Sequence, residues 1–331
     1  MRFKELFFKI SFIYNFIPLK LLMKLSGKKN IYPFYHIVND TNGLTKHLYT
    51  AKNKIDFIKD LKYFKKHFNS ISLPDLIKKN DSKNYRFLLT FDDGLKNFFT
   101  TVAPILLKEK IFAINFLNSN FIDNKELFFR FKANLLINEI SKQKLIFNQK
   151  AKLNQIIDKP ILSYLKNATY NDDKKINKIA EILNFSFSEF LEKEKPYLST
   201  KQINDLINKG FYFGGHSKSH PYYANIDFKD QYIETLESVN YIQKKFNLKY
   251  KFFSFPFSDN NVSKKFFKKM NEENIITFGT AGLKDDTNIL NHYQRIPMEY
   301  NSKYSAETII KGELIYYILK KIFKKNEIVR L

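Results

Sequence analysis

From residue 30 onward the chain repeats one pattern, a short apolar run followed by a segment with an apolar residue every three or four positions. The runs are NIYPFYHIV (30–38), YRFLLTF (85–91), IFAINFL (111–117), FYFGG (211–215), YKFFSFPF (250–257) and NIITFGT (274–280). Between them IDFIKDLKYFKKHF places Ile58, Leu61, Phe64 and Phe68 on one helical face, and QYIETLESVNYIQKKF does so with Tyr232, Leu236, Val239, Ile242 and Phe246. Ser199 and Gln202 have capping-box spacing at the head of another helix, and Gly210 marks its end. Strands alternating with amphipathic helices predict an α/β fold on a parallel sheet, a barrel or an open sheet. In either, functional groups collect beyond the carboxyl ends of the strands. Residues from about 124 to 195 break the alternation: KELFFRFKANLLINEI and DKKINKIAEILNF are charged and helical, which predicts a helical insertion.

Three of the strand ends carry chemistry. FLLTFDDG sets Asp92 and Asp93 side by side after a buried strand, which costs free energy unless something compensates the like charges. GGHSKSHP places His216 and His220 four residues apart, able to converge on one ion if the backbone between them turns. FSFPFS ends a third strand in the pair Pro256–Phe257. Two imidazoles and one carboxylate make a metal face with open positions, and a cation there would neutralise one aspartate while the other stays free as a base. Such an ion lowers the pKa of bound water from ~15.7 toward ~7. The chain has no cysteine, so thiolate ligands, a thiol nucleophile and disulfides are excluded.

TFDDG, then HSKSH, then FPF, in this order and each after a strand, resembles the polysaccharide deacetylase (NodB homology) family, carbohydrate esterase family four. Weaker likeness extends to YPFYHIV and QRIPMEY. The resemblance implies a distorted (β/α) barrel that removes acyl groups, usually N-acetyl, from amino sugars. It implies Asp92 as general base, and Asp93, His216 and His220 as ligands of a divalent metal, zinc foremost, with cobalt, nickel or manganese as alternatives. Ser217 would brace the loop, Pro256 and Phe257 would wall the acyl pocket, and Arg295 would pair with the base. The sequence departs from the family at Ser254 and Ser258, and it lacks the late histidine that serves as general acid. His292, His36 and Asp259 are the candidates for that role. A glycan-binding or scaffold protein that keeps the metal without efficient turnover is the alternative reading.

The domain expectation is a basic amphipathic segment over 1–30 and a catalytic domain over 31–331, with the insertion inside it. The amino-terminal stretch MRFKELFFKISFIYNFIPLKLLMKLSGKKN is too interrupted by charge to span a bilayer or to read as a signal peptide. Its Lys and bulky apolar residues suit an anionic membrane surface. These features place the protein in the cytoplasm, peripheral on the inner face of the membrane, with a lipid-linked or nucleotide-linked amino sugar or glycan as substrate. The net charge of +23 accompanies a general excess of Lys, Asn, Ile, Phe and Tyr, and no nucleic-acid-binding motif occurs, so no nucleic-acid partner is expected.

Overall fold

The computed structural model describes residues 7–40, 43–78, 83–142, 145–300 and 304–330. Eight short strands form the centre: β1 Pro33–Tyr35, β2 Leu89–Phe91, β3 Ala113–Leu117, β4 Tyr212–Gly215, β5 Lys251–Ser254, β6 Ile275–Gly279, β7 His292–Gln294 and β8 Ile296–Pro297. All pairings are parallel, and their spatial order β7-β6-β5-β4-β3-β2-β1-β8 follows the chain, except that β8 lies beside β1. The two outer strands, β7 and β8, are therefore halves of one segment that changes partner at Arg295. The Arg295 N–H still bonds Gly279, on the β6 side, at 3.2 Å, whereas the next N–H, of Ile296, bonds Tyr32, on the β1 side, at 2.9 Å. This closing segment turns the sheet into a distorted barrel. It is the strand that the apolar pattern did not predict, because HYQRIP has no apolar run.

Helices surround the barrel: α1 Leu19–Ser26, α2 Lys54–His67, α3 Ala103–Glu109, α9 Thr200–Asn208, α10 Phe228–Lys245, α11 Lys264–Glu272 and α12 Ala306–Ile322. Their starts are written in the sequence. Asn53, Ser199, Asp227, Ser263 and Ser305 each accept the N–H three residues on, and Ser199 and Gln202 form the expected reciprocal box. Gly210 follows α9 at φ +91°, a conformation few side chains tolerate. In α2 the buried face runs through Phe57, Leu61 and Phe64, one residue round from the predicted Ile58, which is only half-buried.

Alternate strand residues Leu88, Ile114, Phe116, Phe252, Ile276 and Phe278 pack into one cluster, as period-2 burial requires. A second, larger cluster lies between strands and helices, including Leu22, Met23, Leu61, Phe64 and Leu314. The described residues of 124–195 contain five α-helices: α4 Phe129–Lys142, α5 Phe147–Ile156, α6 Ile161–Lys166, α7 Asp173–Ile182 and α8 Phe187–Glu194. These enclose a core of their own around Phe131, Leu136, Leu153, Ile176 and Ile179, whose edge reaches the barrel mouth through Phe128 and Phe129. The amino-terminal segment packs on α12: Lys311 Nζ donates to the Asn15 carbonyl and Lys321 Nζ to that of Ser26, so α1 and α12 run alongside one another. Met1–Leu6, the head of that segment, lie outside the described residues.

Candidate metal centre and active-site cleft

The loops after β2, β4 and β5 converge at one end of the barrel. Four non-glycine residues in them hold positive φ: Asp93 (72°), Ser217 (65°), His220 (63°) and Phe257 (57°). Such conformations cost on the order of 1–3 kcal/mol each and persist only where the surroundings impose them. Here the loops are pinned from behind. Ser217 Oγ accepts the His220 N–H at 2.9 Å, and its carbonyl accepts Ser238 Oγ of α10 at 2.9 Å.

Asp93, His216 and His220 are buried, and one ligand atom from each lies within 4.8 Å of the others. The His216 and His220 Nε2 atoms stand 3.2 and 3.0 Å from Asp93 Oδ1. That buried oxygen nevertheless has no hydrogen-bond partner. His216 Nδ1 lies 2.8 Å from the Ser254 carbonyl, which can only accept, so Nδ1 carries a proton and in the neutral imidazole the Nε2 lone pair faces Asp93. Burial lowers the pKa of His220 despite the carboxylate beside it, which favours its neutral imidazole. Lone pairs gathered around a carboxylate oxygen with no shared proton are the donor set that a divalent cation satisfies. The Asp93 side chain is itself oriented by the Tyr49 hydroxyl, which donates to Oδ2 and is held protonated by its burial and by Asp93.

Asp92 has a different counter-charge. Arg295 Nη1 and Nη2 donate to its two oxygens at 2.7 and 2.8 Å, a bidentate pair buried in the barrel. The remaining guanidinium donors reach the Gly279 carbonyl (3.1 Å), Thr90 Oγ1 (3.0 Å) and Ser254 Oγ, so all five N–H groups are used. Phe34 and Phe116 lie over the group, with centroids 4.4 and 5.4 Å away. Burial alone would raise the Asp92 pKa, but Arg295 holds it below the ordinary carboxylate value. Ser254, where the sequence departs from its relatives, thus serves both halves of the site, its carbonyl orienting His216 and its hydroxyl taking Arg295.

The cleft above these groups has a volume of about 490 Å³ and is lined by Asp92, Asp93, His216, His220, Phe257, Ser258 and His36, among others. Phe257 stacks edge-on against His220 at 4.6 Å, with Phe128 of the insertion equally near the same imidazole. Pro256 is buried below and does not line the cleft. Of the three acid candidates only His36 is in the cleft. Its Nδ1 lies 2.6 Å from Glu299, whose other oxygen accepts the His36 and Ile37 N–H groups at 2.9 Å each. Burial opposes its charge, but Glu299 and then the two aspartates raise its pKa to about 9. His292 and Asp259 lie instead in a buried network with Gln294, Asp286 and Arg330, away from the cleft. By distance Asp259, Asp286 and His292 could also gather a cation, but the Arg330 guanidinium already bonds both carboxylates.

A family model described as polysaccharide deacetylase matches residues 79–274, more than half of the chain. The chain belongs to the polysaccharide deacetylase family. Solved structures agree on the fold. Streptococcus pyogenes deacetylase PplD, in complex with acetate, has a TM-score of 0.57 at 15% identity, over 86% of this chain and 98% of its own. IcaB from Ammonifex degensii has a TM-score of 0.54 at 14% identity, over 87% and 98%. The de-N-acetylase from Aggregatibacter actinomycetemcomitans has 0.52 at 13% identity, over 86% and 99%. A comparison with curated proteins finds no match.

Tyr49, Glu299, Phe128 and Arg130 line this deacetylase cleft, and Thr90 holds Arg295 behind it, without having been singled out in the sequence. Glu299 had a signal within QRIPMEY and Thr90 one within TFDDG, while Phe128 and Arg130 fall in the predicted helical insertion. The site geometry predicts that Arg295→Met, which strands Asp92 without its counter-charge, lowers stability by about 3–5 kcal/mol. The double variant Asp92→Leu/Arg295→Met should regain most of that loss in urea unfolding. Additive losses would contradict the coupling.

Proposed function

We propose that this polysaccharide deacetylase is a metal-dependent hydrolase that removes an N-acyl group, acetyl foremost, from an amino sugar. One observation carries the reading: an ionised Asp92, clamped by Arg295 and outside the metal cluster, stands in one cleft with Asp93, His216 and His220. A divalent cation held by those three, zinc best matching two imidazoles and a carboxylate, supplies the Lewis acidity that polarises the amide and acidifies water. Asp92 takes the proton of the attacking water, and the carboxylate's two contacts with Arg295 keep it aimed. The Phe257 ring walls the acyl group and its backbone N–H is the oxyanion donor. As the C–N bond breaks, the leaving nitrogen takes a proton from His36, which Glu299 keeps charged at neutral pH.

We also place the reaction at the cytoplasmic face of an anionic membrane, on a lipid-linked or nucleotide-linked sugar. Phe12 and Phe16, 74% and 77% exposed, precede α1, and Leu21, Leu25, Ile322 and Phe323 are exposed along α1 and the end of α12. Exposed Lys20, Lys24, Lys324 and Lys325 flank them. Apolar side chains ringed by lysines fit the headgroup region of a bilayer. No helix among the described residues is long and apolar enough to cross one.

Acyl release from an N-acetylated amino sugar should require added divalent metal and fall by about 10²–10⁴-fold in Asp92→Asn and His216→Ala. Metal-independent, undiminished release in both variants would refute the mechanism. For His36 the sign is that of an acid: protonated below its pKa and lost as pH rises through about 9. The bound cation offsets part of the Asp93 charge, so the basic limb of kcat lies at or below that value. It should vanish in His36→Gln and move to lower pH in Glu299→Gln, and a limb unchanged in both excludes His36. In vesicle sedimentation, Phe12→Glu/Phe16→Glu should weaken binding to anionic vesicles at least about tenfold. Equal binding by the variant would rule out this face.

A further inference from the structure

A second cavity, of about 670 Å³, opens beside the cleft between the insertion and the barrel loops. The two share Arg130, Phe257 and Ser258. Arg130, in the first turn of α4, lies over the Phe257 ring at 5.5 Å and, among the described residues, has no ion pair or hydrogen bond. A guanidinium stacked on a ring keeps its edge donors free for an in-plane acceptor. Lys166, at the end of α6, adds a second cation, likewise without an ion pair among the described residues. The groove lining contains no carboxylate, only these two cations, amide and hydroxyl side chains, aromatic rings and two aliphatic residues. In the cleft itself the three carboxylates are already engaged: Asp92 by Arg295, Asp93 by the metal cluster and Tyr49, and Glu299 by His36.

We propose that this groove binds an anionic group of the substrate, next to the acylated sugar, and that Arg130 is the side chain that recognises it. The inference rests on the deacetylase reading and narrows its substrate to a charged amino-sugar conjugate. Arg130 stands where the two cavities meet, so the charge it reads would sit on the linkage or residue adjoining the sugar being deacylated. Phosphate and carboxylate both present the oxygen pair that a guanidinium matches. A phosphate would come from a lipid or nucleotide carrier, a carboxylate from a neighbouring uronic acid. The cation–π contact by itself explains where the arginine lies but not why two cations line a groove with no counter-ion.

The test reads binding without turnover. Metal-free protein, stripped with chelator, is titrated calorimetrically with N-acetylglucosamine, with its 1-phosphate and with a disaccharide joining it to glucuronic acid. At least one anionic ligand should bind wild type about tenfold or more tighter than the neutral sugar, and which one does identifies the source of the charge. That gain should disappear in Arg130→Gln and shrink about threefold in the exposed Lys166→Gln, with both variants folded by circular dichroism. Equal affinity of wild type for neutral and charged ligands, no binding of any, or a gain retained in Arg130→Gln overturns the proposal. Since the metal and hydrolysis play no part in this readout, failure of the deacetylase reading would show separately, as absent acyl release from the metal-loaded protein.

Discussion

Two carboxylates that adjoin in sequence cannot both stay ionised in a buried cleft unless each has its own counter-charge, and the site is built around that constraint. The fold solves it by sending the two side chains to different partners. Asp92 enters the barrel and meets Arg295, which is fully enclosed and has every donor engaged. Asp93, turned by its positive φ, faces two imidazoles whose lone pairs need a cation. Arg295 belongs to the segment that closes the barrel, so the closure of the fold and the charge state of Asp92 are one structural event.

The same economy appears around the metal ligands. Ser254 links His216 to Arg295, and Ser217 links the His220 N–H to α10, so each ligand loop is held by a neighbouring strand or helix. The insertion then completes the cleft from outside the barrel. Phe128 packs on His220, while Arg130 brings a positive charge to the rim. The metal-cluster residues and Asp92 thus come from the strand ends, and the added helices supply part of the cleft wall.

Much of this was legible in the residues. Asp92, Asp93, His216 and His220 follow strongly apolar strands, and period 2 followed by a turn places such residues at the barrel mouth. The capping residues of α9 were legible for the same local reason. What depended on distant contacts was not. The closing strand is polar and only six residues long, because its inner face carries Arg295 rather than an apolar side chain. Tyr49 lies in a segment with no periodic signal and Arg130 in the predicted helical insertion, and only the fold brings them to the cleft. His292 and Asp259 are acid candidates only as available titratable groups, and Arg330, from the far end of the chain, draws them into a separate buried network.

The central claim is that Asp93 and the two histidines hold one cation while Asp92 remains outside its coordination. Calorimetric titration of chelator-stripped protein with zinc tests this most directly. The account predicts one ion per chain in wild type and in Asp92→Asn, and loss of that ion in Asp93→Asn and in His220→Ala. An ion retained by both of the latter variants would contradict it.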